Sequence, residues 1–303
     1  MRVTAVLVSL LLLGACSEQV AAPERDAAST PSPTPSPEPS PEPTVSVIEA
    51  LKGPIPSRPG RLARDLVRTT RTMKSAIEEW RAGGSGRRRA LFGAMRQQKI
   101  FQKLAARPKL FRRVHKRLPS GLARFARETV GAATRLRTLV TPLEELPDWK
   151  TYKPAPTREL QRYYKKGERL FDIPWEVLAS LNFVESRFGR ILGPSSAGAQ
   201  GPMQFIPSTW DVYGNGGDIN DPHDSIIGAA RYLSASGAPE RMHDALYAYN
   251  RSYEYVHAIR TYARQMMRDE RNFIGYYFWQ VYVRTVDGNI QLTGPGGVRP
   301  ATG

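Results

Sequence analysis

The sequence predicts a mostly α-helical protein in which a basic helical segment and a second, near-neutral helical domain follow a disordered, proline-rich linker. Three observations carry this prediction. Apolar residues recur at helical spacing from Leu62 to Leu136 and again from Leu160 to Val184. Residues 31–43 alternate proline with small or acidic residues, a composition that cannot bury enough apolar surface to fold. Strand-like alternation is confined to Tyr277, Trp279, Val281 and Val283, followed by the turn pair Asp287-Gly288, which predicts a short closing hairpin within 273–293. Charge divides the chain in the same places. Residues 1–50 carry a net −4, residues 51–150 a net +18, and residues 151–303 a net +2, within a total of +16. The positive excess therefore belongs to the middle segment, and it speaks to partners rather than to fold.

The N-terminus reads as an export signal. Arg2 precedes an apolar run from Val6 to Leu13, too short for a permanent membrane span, and small residues follow. Cys16, the one cysteine of the chain, stands directly after Leu13-Gly14-Ala15. That arrangement resembles the bacterial lipoprotein signal, which implies residues 1–16 as signal peptide with Cys16 lipidated. The protein is then exported and lipid-anchored to the cell membrane, facing the wall or periplasm. Acyl chains contribute about 0.8 kcal/mol per buried methylene, so two or more hold a protein on a bilayer. Residues 17–60 follow as the disordered Pro/Ser/Glu-rich linker, an extended spacer of about 3 Å per residue.

The middle segment, 61–150, reads as helices. Leu62, Leu66, Thr69, Met73 and Ile77 share one face, and Gly83-Gly84-Ser85-Gly86 ends that helix. Leu91, Met95, Ile100, Leu104 and Phe111 continue the pattern, and Pro119-Ser120-Gly121 opens a further helix. Arg87 to Arg89, Arg112, Arg113, Lys116 and Arg117 occupy the opposite faces. Two readings stand for 61–140: a solvated basic face on packing helices, or a surface that contacts anionic lipids or anionic wall polymers. Export argues against a nucleic-acid partner.

The third segment, 151–303, holds the candidate chemistry. Asp172 precedes Pro174 in a helix-start pattern, and the helix that follows carries Leu178, Leu181 and Glu185 on one face. A carboxylate on an apolar face has its pKa raised, which suits a general acid near neutral pH; pairing with Arg187 or Arg190 is the structural alternative. Gly189 stops the helix. The run from Ser195 to Pro207 is too small and glycine-rich for a core strand and suits backbone lying against a ligand, with Gln204 offering an amide. Ala248-Tyr249-Asn250 ends a later helix on a polar pair.

Three ordered runs, Val184-Glu185-Ser186-Arg187-Phe188-Gly189, then Gly201-Pro202-Met203-Gln204-Phe205-Ile206-Pro207-Ser208-Thr209-Trp210, then Ala248-Tyr249-Asn250, resemble the lytic transglycosylases of lysozyme-like fold. The membrane-bound lytic murein transglycosylase subgroup is the nearer match, because the second run opens as Ser195-Ser196-Ala197-Gly198-Ala199-Gln200-Gly201. The resemblance covers about 157–290 and implies a lysozyme-like catalytic domain acting on peptidoglycan glycan strands. It implies Glu185 as the catalytic acid, and Ser195 lining the sugar site in contact with the acid or the substrate. It further implies that Gln204 and Tyr249 bind substrate, that Tyr232 borders the cleft, and that Asn250 lies near the acid.

Ordinary glycosidases use two carboxylates. In the resembled family one Glu protonates the leaving oxygen of the N-acetylmuramic acid–N-acetylglucosamine β-1,4 bond. It then takes a proton from the C6 hydroxyl, which closes a 1,6-anhydro ring. Asp211, Asp218 and Asp221 stand as alternative second carboxylates, which would make the enzyme a hydrolytic muramidase. A non-catalytic peptidoglycan-binding lipoprotein is the reading from another class. No cofactor and no metal are expected. A single cysteine leaves no internal disulfide or Cys-zinc site, and His115, His223, His243 and His257 show no ligand spacing. Some relatives hold calcium before the helix that Asp221-Pro222 opens, but here Asp218, Asn220, Asp221 and Asp224 do not make the EF-hand spacing.

Overall fold

The computed structural model describes residues 44–146, 148–299 and 301. The chain runs through α1 (Thr44–Lys52), α2 (Pro59–Arg81), α3 (Arg87–Ala105), α4 (Pro108–His115), α5 (Ser120–Thr138) and α6 (Thr157–Phe171). It continues through α7 (Trp175–Ser186), α8 (Pro207–Tyr213), α9 (Pro222–Ala235), α10 (Met242–Tyr249), α11 (Tyr253–Arg268) and α12 (Arg271–Tyr277). A hairpin of β1 (Tyr282–Thr285) and β2 (Gly288–Gln291) closes it. The architecture is mostly α, as predicted. Cys16 and the proline-rich run lie outside the described residues. Among those described, no helix is long and apolar enough to cross a membrane.

Helix α1 corrects the linker expected over 17–60. Once the prolines stop, Val47, Ile48 and Leu51 are apolar enough to fold, and Ile48 and Leu51 are buried against α3. A composition averaged over 17–60 hides this helix of nine residues. The turn after α1 is held by Arg96, an exception to the solvated basic faces. Its guanidinium is buried on α3, pairs with buried Asp65 at 2.7 Å, and donates to the Leu51, Gly53 and Pro54 carbonyls. Arg87, Arg88, Arg112, Arg113, Lys116 and Arg117 are exposed, as the pattern predicts.

Helices α2 and α3 pack as an antiparallel pair. Gly86 permits the turn between them, since a Cβ there would stand 2.1 Å from the Ala76 carbonyl oxygen. The basic helices and the following segment, divided at residue 150 on charge, share one hydrophobic core running from Leu62 to Trp279. Phe101 of α3 meets Trp279 at 6.1 Å between ring centres, and Phe125 of α5 meets Tyr276 at 6.3 Å. Gln98 and Gln280 exchange hydrogen bonds at 2.8 Å between side-chain amide and main chain, and Lys74 pairs with Asp269 at 2.7 Å. Charge composition separates the segments because surfaces carry the charge; the core beneath is continuous.

Two local expectations shift. Asp172 does not start α7. It closes α6 in the left-handed conformation (φ 57°), donating its amide to Glu168 O, and Glu168 Oε1 instead accepts from Trp175 N at 3.2 Å. The hairpin is shorter than 273–293. Residues 271–277 form α12, and Thr285 pairs with Gly288 around a Val286-Asp287 loop. A short apolar run does not distinguish helix from strand by its period, and burial of α12 on every side decides for helix.

Candidate active site

Glu185 sits in the last turn of α7, a helix buried nearly all round. The chain then turns sharply through three left-handed residues, Arg187 (φ 54°), Phe188 (φ 63°) and Gly189 (φ 82°). This frees the end of α7 to face the loop of the second motif. A buried polar relay fixes that loop on the helix. Tyr164 OH donates to Asn182 Oδ1 at 2.6 Å, Asn182 Nδ2 donates to Pro202 O at 2.8 Å, and Ser186 Oγ donates to the same carbonyl at 2.6 Å. Ser186 Oγ also accepts from Gly189 N at 2.8 Å. Every group in this relay is satisfied, so it locates the Glu185 backbone against residues 200–206.

Neither Arg187 nor Arg190 pairs with Glu185. Arg187 lies 4.3 Å over the Phe183 ring and donates to Phe183 O, and Arg190 donates to Arg187 O and Tyr277 O. The partner of the carboxylate is Tyr255 in the first turn of α11, whose OH donates to Glu185 Oε1. Glu185 keeps part of its surface open, yet crowding by protein removes water from the carboxylate and pushes its pKa up to about 7, against the opposing pull of the Tyr255 hydrogen bond. No other carboxylate contributes to that shift. Asp211 is exposed, Asp218 Oδ1 accepts from Asn220 N, and Asp221 Oδ1 caps α9 by accepting from Asp224 N.

The second-motif loop is tight. Gly201 has φ 74°, and a Cβ there would stand 1.9 Å from Ile219 O. Gln204 is held left-handed (φ 51°) between Gln200 and Phe205, which bridge each other. Its Nε2 donates to Gly201 O at 3.0 Å, while its Oε1 is buried and without a partner among the described residues. A strained backbone holding an unpaired acceptor is a feature of binding sites rather than of cores.

The other expected residues are placed unequally. Tyr249 OH donates to Met203 O at 2.6 Å, and the Glu185 charge contributes to raising its pKa, so it lies beside the acid. Tyr232 OH donates to Ala248 O at 2.9 Å, and its ring packs on Tyr249 at 5.4 Å. These phenols join the second motif to α9 and α10, with both hydroxyls spent on main-chain carbonyls. Asn250 ends α10 half-buried, and its amide makes no hydrogen bond among the described residues. Ser195 departs from expectation. It is buried, its Oγ accepts from Ala197 N and Ala199 N, and no described hydrogen bond joins it to Glu185. A serine followed by small residues closes its own turn this way.

Asn182, Ser186 and Tyr255 are the functional neighbours that motif reading left out. The signal for Tyr255 was local: Ser252 caps α11 and accepts from Tyr255 N, which places Tyr255 in the turn immediately after the third motif. One group of metal-capable side chains comes together among the described residues, Asp221, His223 and Asp224, with ligand atoms within 4.8 Å. Asp224 accepts from His223 and from Asp218 N, and Lys166 Nζ stands 2.9 Å from His223 Nε2, so a cation already occupies that flank.

Residues 162–271, which carry all three motifs and Tyr255, match the transglycosylase SLT domain family. The mostly helical, lysozyme-like character of this segment agrees with the match and with the motif resemblance. The chain is also similar to membrane-bound lytic murein transglycosylase F of Thiobacillus denitrificans (strain ATCC 25259 / T1), 29% identical over 120 residues. That match covers 37% of this chain and 25% of the relative, so the chain aligns with about a quarter of that protein's length. No solved structure was found to match the chain.

Proposed function

We propose that this protein is a lytic murein transglycosylase that cleaves the N-acetylmuramic acid–N-acetylglucosamine β-1,4 bond of peptidoglycan, with Glu185 as the single acid and base. The observation that carries the reading is the state of Glu185. With a pKa of about 7 it is protonated in a large fraction of molecules near neutrality and regains a proton easily. It has a phenol on one oxygen and no carboxylate acting on it. A lone acid can protonate the departing glycosidic oxygen, then accept the proton of the C6 hydroxyl as that oxygen attacks C1. Atoms balance without water, and the product is the 1,6-anhydro sugar.

Gln204 Oε1 and the Asn250 amide are the polar groups placed to bind the sugar. Gln204 brings an unpaired acceptor and Asn250 an amide with both functions unused. Tyr255 tunes Glu185, and the Asn182–Ser186 relay positions it. The reading extends to place and surface. Cys16 follows a lipoprotein-like signal and anchors the exported chain to the membrane. The exposed arginines of α3 and α4, in a segment of net +18, meet anionic lipid or wall polymer. The test is digestion of purified peptidoglycan followed by mass analysis of the fragments. Anhydro-ended fragments are lighter by one water than reducing-ended ones. Reducing ends alone would make the enzyme a muramidase, and intact strands would leave a wall-binding protein.

A further inference from the structure

A cavity of about 1030 Å³ lies where the end of α2, the start of α3, the start of α6, α12 and the chain after β2 meet. Glu185, Gln204, Tyr249, Asn250 and Tyr255 do not line it. Its size suits a ligand of several residues rather than a single ion.

The lining is cationic, and of its five cations Arg81 alone has a carboxylate partner among the described residues. Arg190 is 6% exposed, and its guanidinium donates only to the carbonyls of Arg187 and Tyr277. No carboxylate pairs with it among the described residues. Buried ions are ordinarily matched by an opposite charge, because stripping water from an unpaired ion is costly. Burial lowers the Arg190 pKa to about 10, which still leaves it charged at neutral pH. Glu270, the acid in the lining, is already taken by Arg81 at 2.9 Å and by Gln161. At the rim Arg87, Lys153 and Arg158 are exposed and form no ion pair among the described residues. Several unmatched cations around one cavity focus a positive potential into it.

The walls say what kind of anion fits. Trp80, Tyr277 and Phe278 line the cavity, Trp80 the most exposed of the three, and the Arg87 guanidinium stands 5.9 Å over the Trp80 ring and 5.8 Å over that of Phe278. Rings bury methyl and methylene groups, for which bare phosphate has no use. Arg190 has spent N–H groups on two carbonyls, so it meets an anion at one point rather than wrapping it with a full fork. A short peptide with free carboxylates and alanine methyls meets both requirements.

We propose that this cavity binds the carboxylate-bearing stem peptide of the wall, apart from the cleft that holds the glycan. The proposal rests on peptidoglycan being the substrate. A peptide held at Arg190 docks the enzyme on its polymer independently of the bond to be cut.

The test is calorimetric titration of the full chain with synthetic L-alanyl-γ-D-glutamyl-L-lysyl-D-alanine, with the fully amidated tetrapeptide, and with glycerol phosphate. Saturable binding of the acid form with loss of binding on amidation is expected. The double variant Arg87→Gln, Lys153→Gln changes only exposed side chains, and it should weaken binding by about fivefold or more. Arg190→Gln, with folding verified by circular dichroism, should weaken it by more than about tenfold. Absence of binding at millimolar peptide would overturn the proposal. So would equal binding of the amidated peptide, tighter binding of glycerol phosphate, or undiminished affinity in the double variant. Strand cleavage is assayed separately. Cleavage without peptide binding sinks this inference alone, and peptide binding without cleavage sinks the proposed activity alone.

Discussion

Replacing Glu185 by glutamine should abolish cleavage and make the protein more stable, by an amount that depends on pH in a defined way. The carboxyl titrates at about 7 in the folded protein and near 4.5 when free. A raised folded pKa means that the folded state favours the protonated form. Stability from this group is full below pH 4.5, falls as the pH rises through 4.5 to 7, and levels off above 7. At about 1.36 kcal/mol per pH decade the full penalty approaches ~3 kcal/mol. Allowing for the part of Glu185 that stays open to solvent brings it nearer about 2 kcal/mol. Glutamine has the same shape and no charge, so Glu185→Gln carries none of this penalty. Urea unfolding of both proteins at pH 4, 6 and 8 measures it. The curves should coincide at pH 4, and the variant should be more stable by about 2 kcal/mol at pH 8. Turnover should fall by about 10⁴ or more, because in the proposed mechanism one group supplies both proton transfers. The Glu176→Gln variant, on the same helix, should cleave normally. A stability gain already present at pH 4, or none at pH 8, would refute the raised pKa. Turnover near wild type would move catalysis to Asp211, Asp218 or Asp221.

Four further outcomes follow from named contacts. Tyr255→Phe removes the hydrogen bond that favours the charged form of Glu185, so the alkaline limb of kcat/KM should move up by about one pH; a limb that stays put would deny Tyr255 its tuning role. Arg96→Met strands three carbonyls under α1 and leaves buried Asp65 only the exposed Arg68, and should cost about 3–5 kcal/mol in urea unfolding, with a loss under 1 kcal/mol counting against the buried pair. Cys16→Ser should shift the protein from membrane to soluble fractions, and full retention in the membrane would end the lipoprotein reading. Binding of the chain to anionic vesicles should fade between about 0.1 M and 1 M salt, as the screening length falls from about 10 Å to about 3 Å; vesicles ignored at low salt would leave the basic faces merely solvated.

The helices of this protein were legible because their causes are local. Leu62, Leu66, Met73 and Ile77 repeat at the helical period, Asp221-Pro222 is a cap followed by a proline, and both features read the same in the sequence and in the structure. Glu185, Gln204 and Asn250 each stand in a short ordered run, and those runs are what made them candidates. Where a segment lacked a decisive period, as in residues 271–277, burial chose helix over strand.

What only the tertiary structure decided are the partners of polar groups, since these come from distant parts of the chain. Tyr255 reaches Glu185 across 70 positions, Gln98 meets Gln280 across 182, and Arg96 meets Asp65 across 31. No local pattern encodes such pairs; they exist because packing of apolar faces brings the helices together and leaves each buried donor to find an acceptor. The same packing placed Ser195 within its own turn, drew α1 into the core, and left Arg190 buried with carbonyls but no carboxylate as partners among the described residues.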